Sequence, residues 1–268
     1  MAVHAHPDDE ALFTGGVLAR YSAAGVRTVL VTCTDGALGD LAGAAPGAEG
    51  RGDAVARQRR AELEASCATL GVGHLELLGY HDSGMAGWAE NERPDAFCKV
   101  AVGEAADRLA GLLDHYRPQV VVTYGADGFY GHPDHIAAHR ATVAAVGSAG
   151  SVRKLYFVAI AKSTLAGFTD LARAAGMTLP DWVDGEPAFG TDDELVATSV
   201  DCSPVVDRKY AALAAHASQV DNGFFLDMGP ELFGEIFSVE SFVRADDRTG
   251  TPLPEDDLFC GLGVAGPT

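Results

Sequence analysis

Residues 118–135 read PQVVVTYGADGFYGHPDH, and this stretch settles the fold class. Three valines and a threonine in a row make a short β-branched run, the pattern of a strand covered on both faces. A glycine-rich turn follows, and then a proline suited to the first turn of a helix, whose pattern runs from Pro133 to about Val146. A strand that feeds a helix through a short loop is the unit from which parallel sheets are built. The first ten residues, MAVHAHPDDE, repeat that grammar: a short apolar lead, a His-Pro-Asp turn, and a helical stretch from about Asp9 to Ala24 closed by Gly25.

Working outward, RTVLVTCT (27–34), HLELLGY (74–80) and KLYFVAI (154–160) read as strands. Residues 53–70 and 96–116 read as helices, and a strand at 194–200 precedes a helix at 204–219. This alternation predicts an α/β fold: a single Rossmann-like domain over 1–268, mostly parallel, with helices on both faces and the active site at the carboxyl ends of the strands. Its core is expected within about 1–220, with 221–268, an irregular part holding IFSVESFVRA, packed on it as a C-terminal extension. Two stretches have no clear period. GALGDLAGAAPGAEGRG (36–52) leaves the carboxyl end of a strand, and is expected to be mobile and to border the pocket entrance. Residues 165–193 are expected to cover part of the surface. The five-residue lead before His6 is short for a central strand, so the natural chain or a homologue is expected to start earlier.

A formal net charge of −19, with 19 basic against 38 acidic residues, repels polyanions. Nucleic acid and anionic lipid surfaces are therefore poor partners, and a cation is a good one. No apolar run reaches the ~18–20 residues of a membrane span, and no secretory signal begins the chain. The five cysteines are scattered without a C-x-x-C pair, which predicts reduced thiols in a cytoplasmic protein. The sequence leaves a homo-oligomer open.

Both His-Pro-Asp clusters occupy βα loops, so one crevice can gather His6, Asp8, Asp9, His132, Asp134 and His135. His6 and Asp9 are three apart, as are His132 and His135, so each pair can share a face of a first helical turn. Two imidazoles and one carboxylate form the zinc set of several hydrolases and leave a position for water. Such a centre polarises a carbonyl and brings its water toward ionisation near neutral pH. A spare carboxylate beside it takes the proton. The residues alone do not decide which of Asp8 and Asp9 is ligand and which is base. Fe(II) suits the same set.

The motifs AHPDDE and HPDH make the chain similar to the PIG-L/LmbE-like de-N-acetylases, a family that includes the mycothiol-pathway deacetylase and conjugate amidase. RRAELEASCATLGV, HDSGM and KYAALAAHASQ resemble further family segments, so the likeness touches most of 1–220. It implies a Zn2+ held by His6, Asp9 and His135, with Asp8 as general base. His132 would act as electrophile or general acid, oriented by Asp134, and Tyr130 would help polarise the amide carbonyl. Arg59 and Asp82 match positions that bind sugar hydroxyls. The implied reaction removes an N-acetyl group from a soluble N-acetylglucosaminyl small molecule; the alternative is an amidase acting on a larger acyl group.

Several neighbours have a plainer reading beside the functional one. His4 is expected to be structural, and His139 an ordinary helix residue despite its H-x-x-x-H spacing from His135. Glu10 and His216 are left open between site and core, and Met85 between substrate contact and packing. Trp88 is a candidate stacking platform for a sugar. Arg59 has the alternative of pairing with Glu62 on its own helix.

Overall fold

The computed structural model describes residues 1–40, 50–179 and 189–263. The chain opens with β1 (Ala2–His4), α1 (Asp9–Phe13), α2 (Gly15–Ala23) and β2 (Val29–Thr34). It continues through α3 (Arg51–Leu70), β3 (His74–Tyr80), α4 (Val102–Tyr116) and β4 (Val120–Thr123). The short turn α5 (Gly128–Gly131) leads into α6 (Pro133–Ser148), β5 (Lys154–Ala159) and α7 (Lys162–Ala174). The remainder is β6 (Thr198–Asp201), α8 (Val206–Ala215), α9 (Asn222–Leu226), α10 (Gly229–Phe237) and β7 (Val239–Asp247).

These strands form one seven-stranded sheet in the order β3-β2-β1-β4-β5-β7-β6. β1 to β5 are parallel, and β7 runs antiparallel to both of its neighbours. The central strands are covered on both faces because their side chains alternate. Val29 and Val31 pack in one buried cluster with Leu109 and Leu113 of α4 and Ala138 and Ala141 of α6. Leu30 joins a second, with Leu63 and Leu70 of α3 and Ala212 and Leu213 of α8. The expected single α/β domain with a mostly parallel sheet is what the chain forms. Among the described residues no helix is long and apolar enough to cross a membrane.

Five expectations about elements need correction. The helix expected over 9–24 is two, broken at Thr14, whose hydroxyl bonds His4 Nε2 at 2.8 Å and the Glu10 carbonyl at 3.3 Å. The helix expected from 96 begins only at Val102, after a 3-10 turn over Phe97–Lys99. The strand expected at 194–200 is displaced to Thr198–Asp201. Residues 162–174, most of them assigned to an irregular cover, form α7, whose Leu165, Phe168, Thr169 and Ala172 are buried at helical spacing. IFSVESFVRA, read as irregular, supplies β7, hydrogen-bonded between β5 and β6. Its buried residues alternate, Glu240 and Phe242, but one of them is charged, which hid the strand pattern. The chain beyond 220 therefore contributes a strand inside the sheet.

The sheet grows to one side of β1 through β2 and β3 and to the other through β4 and β5, so the order reverses between β1 and β4. The carboxyl ends of those two strands open a crevice at that reversal. Both His-Pro-Asp loops leave the sheet there.

Candidate metal centre and active site

The loop after β1 turns on Asp8, whose φ of 113° lies in the left-handed region that side chains rarely adopt. Its N–H donates to Glu10 Oε2 at 3.0 Å, and its carboxylate pairs with Arg59 Nη2 at 3.1 Å. Strain of this kind persists where surrounding contacts over-determine it, as they do here. After β4, Phe129 also has positive φ (72°), and the chain then enters α6 with His132 as N-cap and Pro133 in the first turn.

One carboxylate faces two imidazoles. Asp9 Oδ2 lies 3.4 Å from His6 Nδ1, and Asp9 Oδ1 lies 3.5 Å from His135 Nε2. The backbone N–H of His6 and the hydroxyl of Tyr124 both donate to Oδ2, each at 2.7 Å, which fixes the carboxylate. His135 Nδ1 bonds the Gly128 carbonyl at 3.1 Å, and the ring stacks on Tyr124 at 4.1 Å. Its Nε2 is buried without a hydrogen-bond partner among the described residues. Hydrogen bonding at Nδ1 leaves the Nε2 lone pair available, as when a carbonyl or carboxylate holds the far nitrogen of a metal-bound histidine and fixes its ring. His6 is held likewise, with Nε2 3.2 Å from Asp134 Oδ2 and Nδ1 facing Asp9. These residues fit a divalent metal. Ring nitrogens of His6, His132 and His135 also converge within 4.8 Å of one another.

The electrostatics favour a cation. Burial works against charge on His6, but Asp134, Asp82 and Asp9 outweigh it and hold the imidazole well above its ordinary value. Burial would likewise raise Asp9 and Asp82; hydrogen bonds and charge from His135 and His6 pull Asp9 well below the carboxylate range, and His6, Gly84 N–H and Arg59 pull Asp82 down. The pocket thus stabilises one positive charge at its centre, as a proton or a metal. Asp8 differs: burial raises its carboxyl, with Arg59 opposing. A raised carboxyl is the better proton acceptor.

The structure corrects the expected pairing of Asp134 with His132. The Asp134 carboxylate is taken by Ser83, whose N–H (2.8 Å) and hydroxyl both donate to it, and by His6. Only the Asp134 backbone N–H reaches His132, at Nδ1 and 3.1 Å. That bond places the neutral ring's proton on Nε2. Burial and the neighbouring His6 and His135 push the His132 imidazole far below its usual value, which favours its neutral form. Tyr130 is 45% exposed at the rim, its ring 4.9 Å from His135 and 6.0 Å from His132.

Arg59 does not pair with Glu62, which accepts instead from the N–H and hydroxyl of Ser218. It donates to Pro7 O (2.5 Å) and Gly36 O (3.0 Å) besides its ion pair with Asp8. Asp82 accepts from the N–H groups of Leu38 (3.2 Å) and Gly84 (2.8 Å). Met85 is exposed on the following turn. His4 and His139 are structural, bonded to Thr14 and to the Tyr124 carbonyl. Glu10 and His216 form a buried pair at 2.7 Å, joined by Ser66, and through the Asp8 N–H they brace the loop. Of the loop 36–52, residues 41–49 lie outside the described residues; Gly36 and Leu38 sit beside Arg59 and Asp82 as placed above.

Three contributors escaped the sequence reading. Tyr124 ends the run VVVTY, and a polar-tipped residue just beyond a buried strand was the available signal. Ser83 lies inside HDSGM and binds Asp134. Asn222 donates to Asp8 Oδ2 at 3.4 Å from α9, and nothing in its local sequence marks it.

A family model described as GlcNAc-PI de-N-acetylase, PIG-L, matches residues 1–146. The 1D-myo-inositol 2-acetamido-2-deoxy-alpha-D-glucopyranoside deacetylase of Actinosynnema mirum is 43% identical, over 98% of this chain and 96% of its own. The protein of that name from Acidothermus cellulolyticus is 41% identical, over 98% and 95%. Among solved structures, N,N'-diacetylchitobiose deacetylase from Pyrococcus horikoshii shares the fold with a TM-score of 0.58 at 21% identity, covering 91% of this chain and 82% of that one. With both His-Pro-Asp loops inside one crevice and relatives alike over at least 95% of their length, this chain belongs to the PIG-L family of de-N-acetylases.

Proposed function

We propose that this protein is a metal-dependent amide hydrolase that removes the N-acetyl group from a soluble N-acetylglucosaminyl small molecule, releasing acetate and a free amine. The relatives' names supply the substrate class. The observation that carries the chemistry is His135 Nε2, buried, unpartnered among the described residues and facing Asp9 Oδ1. We assign the metal to His6, Asp9 and His135, and read the sheet, with its site at the strand-order reversal, as Rossmann-like.

A zinc ion bound there would polarise the amide carbonyl and bring a water toward ionisation near neutral pH. Asp8, held by Arg59 and Asn222, takes the water's proton as the oxygen adds to the carbonyl carbon. When the carbon–nitrogen bond breaks, the same carboxyl returns that proton to the departing nitrogen. His132 donates from Nε2–H to the carbonyl oxygen as negative charge builds on it, a task a neutral imidazole performs. Tyr130 supplies a second donor from the rim. Arg59 spends its terminal nitrogens on Pro7, Gly36 and Asp8, so its first task is holding the base; Asp82 is the better candidate for a sugar hydroxyl.

The test is release of free acetate from a panel of N-acetylglucosaminides, with and without chelator, beside a matched N-acyl series of increasing size. Chelator-sensitive acetate release is expected. Faster cleavage of the larger acyl groups would favour the amidase reading, and cleavage indifferent to chelator would overturn the metal assignment.

A further inference from the structure

Trp88 is 47% exposed, although tryptophan is largely covered in most folded chains. Its turn is pinned. Asn91 Nδ2 donates to the Ser83 carbonyl at 2.6 Å and the Gly84 carbonyl at 3.4 Å, and Asn91 Oδ1 accepts from Gly87 N–H at 2.9 Å. Trp88 N–H donates to the Met85 carbonyl at 3.1 Å, and Asn91 N–H to the Trp88 carbonyl at 3.1 Å. The indole rests on Gly84, where φ is +69° and a Cβ would lie only 2.6 Å from Trp88 Cε3 and 3.1 Å from Leu38 Cδ1. Glycine is thus needed there for both backbone and space.

This seat adjoins the catalytic crevice. Gly84 N–H and Leu38 N–H both donate to Asp82, and Asp82 Oδ1 stands 3.7 Å from His6 Nε2. Ser83, the residue between, binds Asp134. A rigid, half-exposed aromatic face therefore flanks the crevice on the Asp82 side, with Met85 (39% exposed) on the same turn. No partner among the described residues takes the indole Nε1–H. An aromatic plate with a free donor at its edge suits a ring with C–H groups on its face and hydroxyls around its rim. Rigid anchors of this kind bind with little ordering cost.

We propose that Trp88, seated on Gly84, is the floor of a subsite for the second ring of the substrate, a polyhydroxylated six-membered ring joined to the glucosaminyl unit. This rests on the deacetylase reading. The ring packs its C–H face on the indole and one hydroxyl accepts from Nε1–H, so Trp88 sets specificity without touching the reacting amide.

The test compares an N-acetylglucosaminyl cyclitol with methyl N-acetylglucosaminide on the zinc-loaded protein. Trp88→Ala should raise the ratio of KM values, two-ring over one-ring, by about 3- to 10-fold, the size of an aromatic stacking contact. Its kcat on the two-ring substrate should stay within about 2-fold, and Trp88→Phe should recover most of the ratio. An unchanged ratio, or equal losses on both substrates, would overturn the proposal. A second arm does not need turnover. With Trp182, the only other tryptophan, replaced by phenylalanine, the deacetylated two-ring compound should shift Trp88 emission saturably, and free glucosamine should not. If wild-type protein releases no acetate the deacetylase reading falls, and the emission titration alone then decides the subsite: no saturable shift removes it.

Discussion

His135 shows at the scale of one residue how the site is built. One ring nitrogen is spent on the Gly128 carbonyl and the ring is clamped on Tyr124, which leaves the other nitrogen aimed at Asp9. The two adjacent aspartates then divide the work because their surroundings differ: Asp9 is held ionised between imidazoles, whereas burial raises Asp8. Asp9→Ala is expected to lose bound metal. Asp8→Asn should keep it and lose about 10²–10⁴-fold in turnover, the usual worth of a general base. Metal analysis of the two purified variants checks this, and equal metal content would reverse or void the assignment. His132→Ala should retain metal and lose about 10²–10³-fold in kcat, as when one oxyanion donor is removed. His132→Gln, which keeps an N–H donor, should lose less. If His132→Ala came out metal-free, then His132 would be a ligand and the donor role would have to move.

At the scale of the element, the most informative pairing is between α2 and β7, more than two hundred residues apart in the chain. Glu240 of β7 accepts from the N–H groups of Gly16 (2.7 Å) and Val17 (2.9 Å), placing a carboxylate at the positive end of α2. Lys209 of α8 pairs with the same carboxylate at 2.7 Å, and both side chains are buried. Gly16 has no room for a side chain: a Cβ would meet Cys202 at 2.6 Å and Glu240 at 2.9 Å. Glu240→Ala removes the cap and strands a buried ammonium, so it should cost about 3–5 kcal/mol. A urea titration checks this, the midpoint falling while the slope stays unchanged. A loss below about 1 kcal/mol would mean that Lys209 finds water.

Across the whole molecule, the reversal of strand order between β1 and β4 makes two distant loops into one pocket. Nothing local holds His6 beside Asp134; the sheet does. The site's carboxylates and imidazoles are thus assembled only in the folded chain, and metal should bind the folded state selectively. At a hundredfold excess over its Kd, zinc should add about 2.7 kcal/mol, or about 5–10 °C in Tm for a chain of this length. Calorimetry with zinc and with chelator measures it. The Asp9→Ala variant separates site binding from general charge neutralisation on this acidic surface, because it should lose most of the shift. An equal shift in the variant would place the binding elsewhere.

Local pattern was enough for the α/β class, the strands at β2, β3, β4 and β5, and the gathering of His6, Asp9, His132 and His135 at strand ends, because each rests on periodicity or on residues a few positions apart. The same reasoning missed β7, whose inward Glu240 looks polar until α2 and Lys209 are beside it. The family likeness had Asp134 orient His132, whereas the fold gives that carboxylate to Ser83 and His6. Local pattern also had no means of finding Asn222, since a hydrogen bond between residues 222 and 8 leaves no trace in either segment alone. Sequence by itself determined which chemistry-bearing groups stand at the carboxyl ends of the strands. Only tertiary structure decided which of them touch, because side-chain partnership depends on distances set by the sheet order and the helices packed upon it, and burial then decides which of those groups carry charge.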